Sequence, residues 1–298
     1  MAGPENVPQI FFPDTVSDLI HLRRAMPDAL IYAGGTYILK NNGAGTATLP
    51  ARVISLQEIE ELDRVSRTER HLEVGSMVTI KRLLMIGRHV VPRALYDALE
   101  QIAPPGVKNL ATLGGNICIA ERNMTASPVL QLMDAALELR RHGSTRWIHA
   151  SRFRLPDGSL DLVDGDVLTR IRIPLDAWNI QEFRRFGTEY SPDTNPLSFC
   201  GLARISKSIV EDVRLSFSSF APGNVRNREV EADLVGRKLP VSDRDIESLV
   251  GRYEEALEDS TSITDQFQRK RALRLTWWFL NRLSQEQPAL ARGATFGV

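Results

Sequence analysis

Two glycine-rich segments, Ala33-Gly34-Gly35-Thr36 and Thr112-Leu113-Gly114-Gly115-Asn116, each come directly after an apolar stretch of the chain. Glycine tolerates positive φ and lets the main chain approach a ligand closely. Consecutive amides in such a turn form a concave nest for an anion. A lone Gly-Gly usually does no more than make a turn. Two such turns, each following a strand-like run, point to one extended ligand that carries a diphosphate.

Composition limits what else the chain can be. With 298 residues and 43% hydrophobic content it can bury a large core, and its length suggests about two domains. Lys+Arg and Asp+Glu are equal at 37 each, so no global basic field favours nucleic acid or an anionic membrane. No apolar run reaches the roughly 20 residues of a membrane span, and the N-terminus lacks a charged-then-apolar signal pattern. A cytoplasmic location is the expectation. Cys118 and Cys200 are the two cysteines. They are too few to hold an iron–sulfur cluster without other ligands, and His21, His71, His89, His142 and His149 show no ligand spacing. No metal site is expected on this chain.

Periodicity gives a mixed α and β order. Gln9 to Phe12 reads as a strand, and Leu19, Ile20, Leu22 and Ala25 mark a helix that Pro27 stops. Ala29 to Ala33 is an apolar strand running into the first glycine pair. Strands follow at Arg52 to Leu56 and His71 to Val74, then helices through Ile80, Leu83 and Leu84 and from Arg93 to Ile102. Ser127-Pro128 reads as an N-cap followed by a first-turn proline. Ala136 to Arg140 and Arg146 to His149 form a hairpin, and Val167 to Ile173 is a strand ending at Pro174. Beyond a boundary near Pro174 to Asn179 come three strands, Gln181 to Phe186, Leu197 to Ile205 and Val213 to Phe220, with Ile209 to Asp212 at a turn. Helices follow over Glu229 to Val235, Asp243 to Leu257 and Asp265 to Leu283. The expected fold class is α+β, with a C-terminal three-stranded antiparallel sheet covered by helices.

Taken in order and at their separations, Tyr32-Ala33-Gly34-Gly35-Thr36, Gly75-Ser76-Met77-Val78-Thr79 and Pro105 through Ile117 resemble the flavoprotein subunit of the molybdenum hydroxylases. This family includes the FAD-binding subunits of xanthine and carbon monoxide dehydrogenases. Phe183-Arg184-Arg185-Phe186-Gly187 and Ala221 through Glu229 are similar to landmarks of its C-terminal domain. The resemblance implies a vanillyl-alcohol-oxidase-type (PCMH-type) FAD-binding domain over 1–176, with subdomains of about 1–55 and 56–176, and a C-terminal domain over 177–298. It implies noncovalent FAD in a cleft between the two domains. It also implies a molybdenum-cofactor subunit that hydroxylates the substrate and an iron–sulfur subunit with [2Fe-2S] clusters. This chain would then pass electrons through FAD to NAD or another acceptor. In such an oxidoreductase subunit the cofactor carries the redox step, so no acid–base catalytic side chain is expected here.

The family pattern places Ala33, Gly34, Gly35 and Thr36 around the pyrophosphate, flanked by Tyr37, Ile38 and Leu39, with Thr112, Gly114, Gly115 and Asn116 as a second clamp. Amides and hydroxyls can satisfy phosphate oxygens without burying another full charge. Lys108 and Asn109 stand just upstream, as flavin contacts or as turn structure. Ser76 and Thr79 are ribityl or phosphate contacts or, equally, helix caps. Two positions depart from the pattern. Tyr37 stands where the family commonly has aspartate, and Thr125 stands where an aspartate hydrogen-bonds the cofactor, with Glu121 as its substitute after a local shift. Threonine offers a hydrogen bond but no charge, which implies weaker FAD retention.

Other features read as structure. Trp277, Trp278 and Phe279 lie among Leu273, Leu275 and Leu280 at helical spacing, as a packing face rather than a base-stacking platform. Two alternatives stand beside the leading one. One is a self-contained flavin reductase in the manner of the UDP-N-acetylenolpyruvoylglucosamine reductases. The other is a flavin-free structural subunit in which Tyr37 and Thr125 record loss of the cofactor.

Overall fold

Alternation of short strands and capped helices sets up the first sheet. Strand β1 (Gln9–Phe11), helix α1 (Val16–Ala25), strand β2 (Leu30–Tyr32), helix α2 (Thr36–Asn41) and strand β3 (Arg52–Ser55) follow one another, and the strands pair in parallel in the order β1-β3-β2. The Thr15 hydroxyl accepts from the Asp18 amide at 3.1 Å and starts α1. Arg23 closes its far end by donating to the carbonyls of Pro27 and Ala29. The computed structural model describes residues 7–41, 48–187 and 196–285. It divides into two units, Met1–Asp176 and Ala177–Val298.

A second, antiparallel sheet fills the rest of the first unit. It comprises β4 (Val65–Arg67), β5 (His71–Gly75), β6 (Ala136–Arg141), β7 (Ser144–His149) and β8 (Val167–Pro174), ordered β4-β5-β8-β6-β7. Between β5 and β6 run helices α3 (Ile80–Ile86), α4 (Arg93–Glu100), α5 (Pro105–Lys108), α6 (Leu113–Ile117) and α7 (Ala126–Leu132), and α8 (Ala150–Phe153) follows β7. Leu72, Val74, Leu137, Leu139, Ile171 and Ile173 bury one side of the strands, while Ile80, Leu83, Leu95, Leu99, Val129 and Leu130 bury the helices. Alternation with period two and period 3.6 respectively makes these faces.

Two local expectations change. The second glycine segment is not an open turn: Leu113–Ile117 is helical, with Thr112 as its N-cap. Ser127 and Pro128 lie inside the first turn of α7, whose N-cap position is Thr125. Proline in a first turn is tolerated because the amide it lacks has no helical partner there.

The second unit is an antiparallel sheet of β9 (Ile180–Phe186), β10 (Leu197–Ser206), β11 (Ile209–Ser218) and the two-residue β12 (Asn224–Val225), ordered β12-β11-β10-β9. Helices α9 (Arg228–Leu234), α10 (Asp243–Glu258) and α11 (Gln266–Gln285) complete it. The three expected strands are present and β12 adds a fourth. Ile209 to Asp212 belongs to β11, not to a turn, because the hairpin turns at Lys207 and Ser208, with φ of 50° and 60°. Neither is glycine or asparagine, so the turn leaves little trace in the sequence. Cross-strand pairing of Arg204 with Glu211 at 3.3 Å supports the polar start of β11. Phe199, Phe217 and Phe279 form the aromatic centre of this core, with ring centroids 5.1 and 5.6 Å from Phe199. No helix among the described residues is long and apolar enough to cross a membrane.

Candidate cofactor site

The two glycine segments meet. Gly34 lies against the chain at Leu110, where a Cβ would sit 1.7 Å from the Leu110 carbonyl oxygen and 3.3 Å from the Ala111 nitrogen. Only glycine permits that approach of two backbones. A Cβ on Gly115 would lie 2.8 Å from the Thr112 hydroxyl and 3.9 Å from the Ala33 methyl, so the second segment also borders the first. Gly35 has φ +66°, a left-handed conformation in which successive amides form a nest. Among the described residues no acceptor takes a hydrogen bond from the Gly34 or Gly35 amide.

Residues 76–80 and 111–114 are laced together by Ile80 N to Ala111 O at 2.8 Å, Leu113 N to Val78 O at 3.0 Å and Gly114 N to Ser76 O at 3.0 Å. Thr79 and Thr112 are bridge partners flanked by these bonds, the arrangement that brings opposed side chains close on one face. Each threonine caps a helix: the Thr79 hydroxyl accepts from Arg82 N at 3.2 Å, and that of Thr112 from Gly115 N at 2.9 Å. Both roles weighed for Thr79 remain compatible, since a hydroxyl that accepts a capping bond still has its proton to donate.

Gly114 is required by the same packing, because a Cβ there would come within 2.6 Å of both the Ser76 Cβ and the Ser76 carbonyl oxygen. Its amide, like that of Gly115, already has a protein acceptor. Among the described residues the unclaimed amides of the two glycine pairs are those of Gly34 and Gly35, while Gly114 serves close approach. Ser76 is 4% exposed, and its Oγ is buried with no hydrogen-bond partner among the described residues. An unsatisfied buried hydroxyl costs about 1–3 kcal/mol, and a polar ligand group would remove that cost.

The remaining expected residues divide. Thr36 begins α2, and Tyr37 and Ile38 follow on it, all half-buried. Asn116 is buried at the end of the second segment, and its Oδ1 accepts from the Ala126 amide at 3.3 Å, which ties α6 to the start of α7. Thr125 is buried beside that junction at 3% exposure, and its neighbour Asn123 is buried too. The Lys108 Nζ donates to the Glu100 carbonyl at the C-terminus of α4, in line with the structural role weighed for it. Asn109 is exposed and ends α5. Glu121 is exposed.

Sequence reasoning missed Arg154. Its guanidinium donates to the carbonyls of Ile119 at 2.5 Å, Ala120 at 2.7 Å, Arg122 at 3.0 Å and Gly158 at 2.7 Å, so one side chain shapes the segment leading to Thr125. Burial lowers its pKa, opposed by Glu121. Nothing in the sequence distinguishes this arginine from its neighbours, because its partners are backbone atoms. The nearby Cys118 is half-buried; desolvation pushes its thiol up to about 12, with the Arg154 charge opposing, which keeps it protonated near neutral pH.

Comparisons with known proteins identify the family. Residues 6–176 match the family described as the FAD binding domain in molybdopterin dehydrogenase. The xanthine dehydrogenase FAD-binding subunit of Escherichia coli O157:H7 is 25% identical over 224 residues, covering 73% of this chain and 75% of that protein. A probable aldehyde oxidase 3 of Oryza sativa subsp. japonica is 29% identical over 224 residues, 67% of this chain but 16% of that much longer protein. In fold, the chain superposes on a chain of quinoline 2-oxidoreductase from Pseudomonas putida 86 with a TM-score of 0.78, at 22% identity, over 96% of this chain and 99% of that one. With a matched segment of this length holding the paired glycines, the Thr79–Thr112 bridge and the orphaned Ser76 hydroxyl, this chain belongs to the family of FAD-binding domains of molybdopterin dehydrogenases.

Proposed function

We propose that this chain is the electron-transfer FAD subunit of a heteromeric molybdenum hydroxylase. In this role it takes electrons from [2Fe-2S] clusters on a partner subunit and delivers them to NAD⁺ or another acceptor. The observation that carries the reading is the contact of Gly34 with Leu110, which joins the nest amides of Gly34 and Gly35 to the segment bearing Thr112. The orphaned Ser76 hydroxyl fits a polar cofactor. Bound FAD supplies the redox chemistry, accepting electrons and releasing them as a hydride.

The protein's part is binding and orientation. The Gly34 and Gly35 amides would donate to diphosphate oxygens, and the Thr79, Thr112 and Ser76 hydroxyls would add neutral donors on the adjoining segment. Thr125 would hold the place of the family's aspartate, with Arg154 fixing the segment before it. Two cysteines in the chain cannot supply the thiolates of a [2Fe-2S] cluster, which supports a separate iron–sulfur partner. The Escherichia coli relative, named as a subunit, supports a heteromer.

Co-purification from the native source tests this reading. The expected result is a stable complex with an iron–sulfur and a molybdenum subunit, and a flavin bleached by NADH without oxygen. A free flavoprotein that reduces a substrate of its own would favour the self-contained reductase instead.

A further inference from the structure

We infer that the Tyr32 hydroxyl is a ligand contact in its own right, a phenolic donor set over the Gly34-Gly35 nest to bind a diphosphate oxygen. The inference rests on the FAD-site reading above and adds a side chain to it. Tyr32 ends β2, where its carbonyl accepts from Leu56 N at 2.9 Å and fixes the backbone at the edge of the turn. Its ring lies against Gly35. A Cβ on Gly35 would lie 2.0 Å from the Tyr32 hydroxyl oxygen and 2.3 Å from the ring carbon bearing it. The space that a side chain at position 35 would fill is therefore held by a phenol.

Tyr32 is half-buried, and among the described residues its hydroxyl has no hydrogen-bond partner. A tyrosine hydroxyl with an apolar ring packed beneath it usually finds a partner. The Gly34 and Gly35 amides beside it are equally unclaimed. Three donors without acceptors among the described residues, within four positions of the chain, suit a group with several acceptor oxygens and negative charge. A diphosphate has that chemistry. The phenol contributes a hydrogen bond and no charge, as do the hydroxyls of Thr79, Thr112 and Ser76. It also offers a physical compensation for Thr125, which supplies no carboxylate.

The experiment is titration of the apo-protein with FAD, ADP and riboflavin, in the wild type and in Tyr32→Phe, with thermal melting of both apo-proteins as a control for folding. Tyr32→Phe removes one oxygen and no packing, so the two apo-proteins should melt alike. The expected result is a loss of about threefold to tenfold in affinity for FAD and the same factor for ADP, the size of one net hydrogen bond. Riboflavin, which has no phosphate, should bind both proteins equally. Comparing ligands on the same sample makes the readout independent of how much protein is folded. Unchanged or tighter FAD binding in Tyr32→Phe would overturn the inference, as would a loss seen with riboflavin or absent with ADP. Failure of the wild type to bind FAD would instead sink the cofactor reading on which it rests.

Discussion

Gly34 and Leu110 touch through their backbones: a Cβ on Gly34 would sit 1.7 Å from the Leu110 carbonyl oxygen and 2.6 Å from its carbon. Neither partner atom is the movable end of a side chain, so the clash cannot be relieved without separating the two segments. Gly34→Ala should lower the stability of the protein by about 1–3 kcal/mol, the usual cost of forcing an extra carbon into a packed site. It should also weaken FAD binding more than tenfold, because the nest moves with it. Denaturant unfolding and FAD titration of the same variant check both effects. Wild-type behaviour in both would show that the contact tolerates a methyl.

Thr112 joins two functions in one hydroxyl. It caps α6 by accepting from Gly115 N at 2.9 Å and stands beside Thr79 on one face. Thr112→Val should cost about 1 kcal/mol through the lost cap. It should in addition weaken FAD binding, whereas Thr112→Ser should retain most of both. A valine variant that loses stability but binds FAD normally would confine Thr112 to the cap.

Much of this site was legible in the sequence, and the limits of that legibility have physical causes. The glycine pairs, Thr79 as a cap and the residues of each buried face follow from local rules, since caps and periodicity act within a turn or two of their own position. Gly34 against Leu110 does not, because backbone contacts between distant segments leave no mark on composition. The same holds for Arg154 and for Lys108, whose partners are backbone carbonyls of other segments of the chain. The type of turn also misled: Thr112 to Asn116 reads as a loop because glycine disfavours helix, yet the Thr112 cap makes it one.

Arg154 should behave as an organiser of residues 119–122. Arg154→Met removes donors to the carbonyls of Ile119, Ala120, Arg122 and Gly158 while keeping bulk. Each lost net hydrogen bond is worth about 0.5–1.5 kcal/mol. Faster proteolysis within residues 119–122 and lower FAD affinity are the expected outcomes, with partial recovery in Arg154→Lys. Unchanged proteolysis would mean that the segment holds its shape without the guanidinium.

Cys118 gives a pH-dependent test. Its thiol is pushed up to about 12 by burial, so at neutral pH the folded protein holds it protonated, and thiolate is the reactive form. Alkylation of native protein at mild pH should be far slower than that of a free thiol and should become fast on unfolding. Because the folded pKa lies above the unfolded one, the thiol contributes stability that is complete below the ordinary thiol range and is lost as pH rises toward 12. Rapid modification of the half-buried Cys118 in the folded protein near neutrality would contradict the raised thiol pKa.

The most direct measurement of the central claim is the flavin content of the purified chain. The near-ultraviolet and blue absorbance bands of flavin should be present, or should appear on titration of the apo-protein with FAD. Acid precipitation should release the flavin as intact FAD, since the proposed contacts are amides and hydroxyls and not covalent bonds. About one FAD per chain, lost in Gly114→Leu and weakened in Gly34→Ala, is the predicted result. A folded wild-type chain that carries no flavin and binds none at saturating FAD would contradict the account and leave a cofactor-free structural subunit in its place.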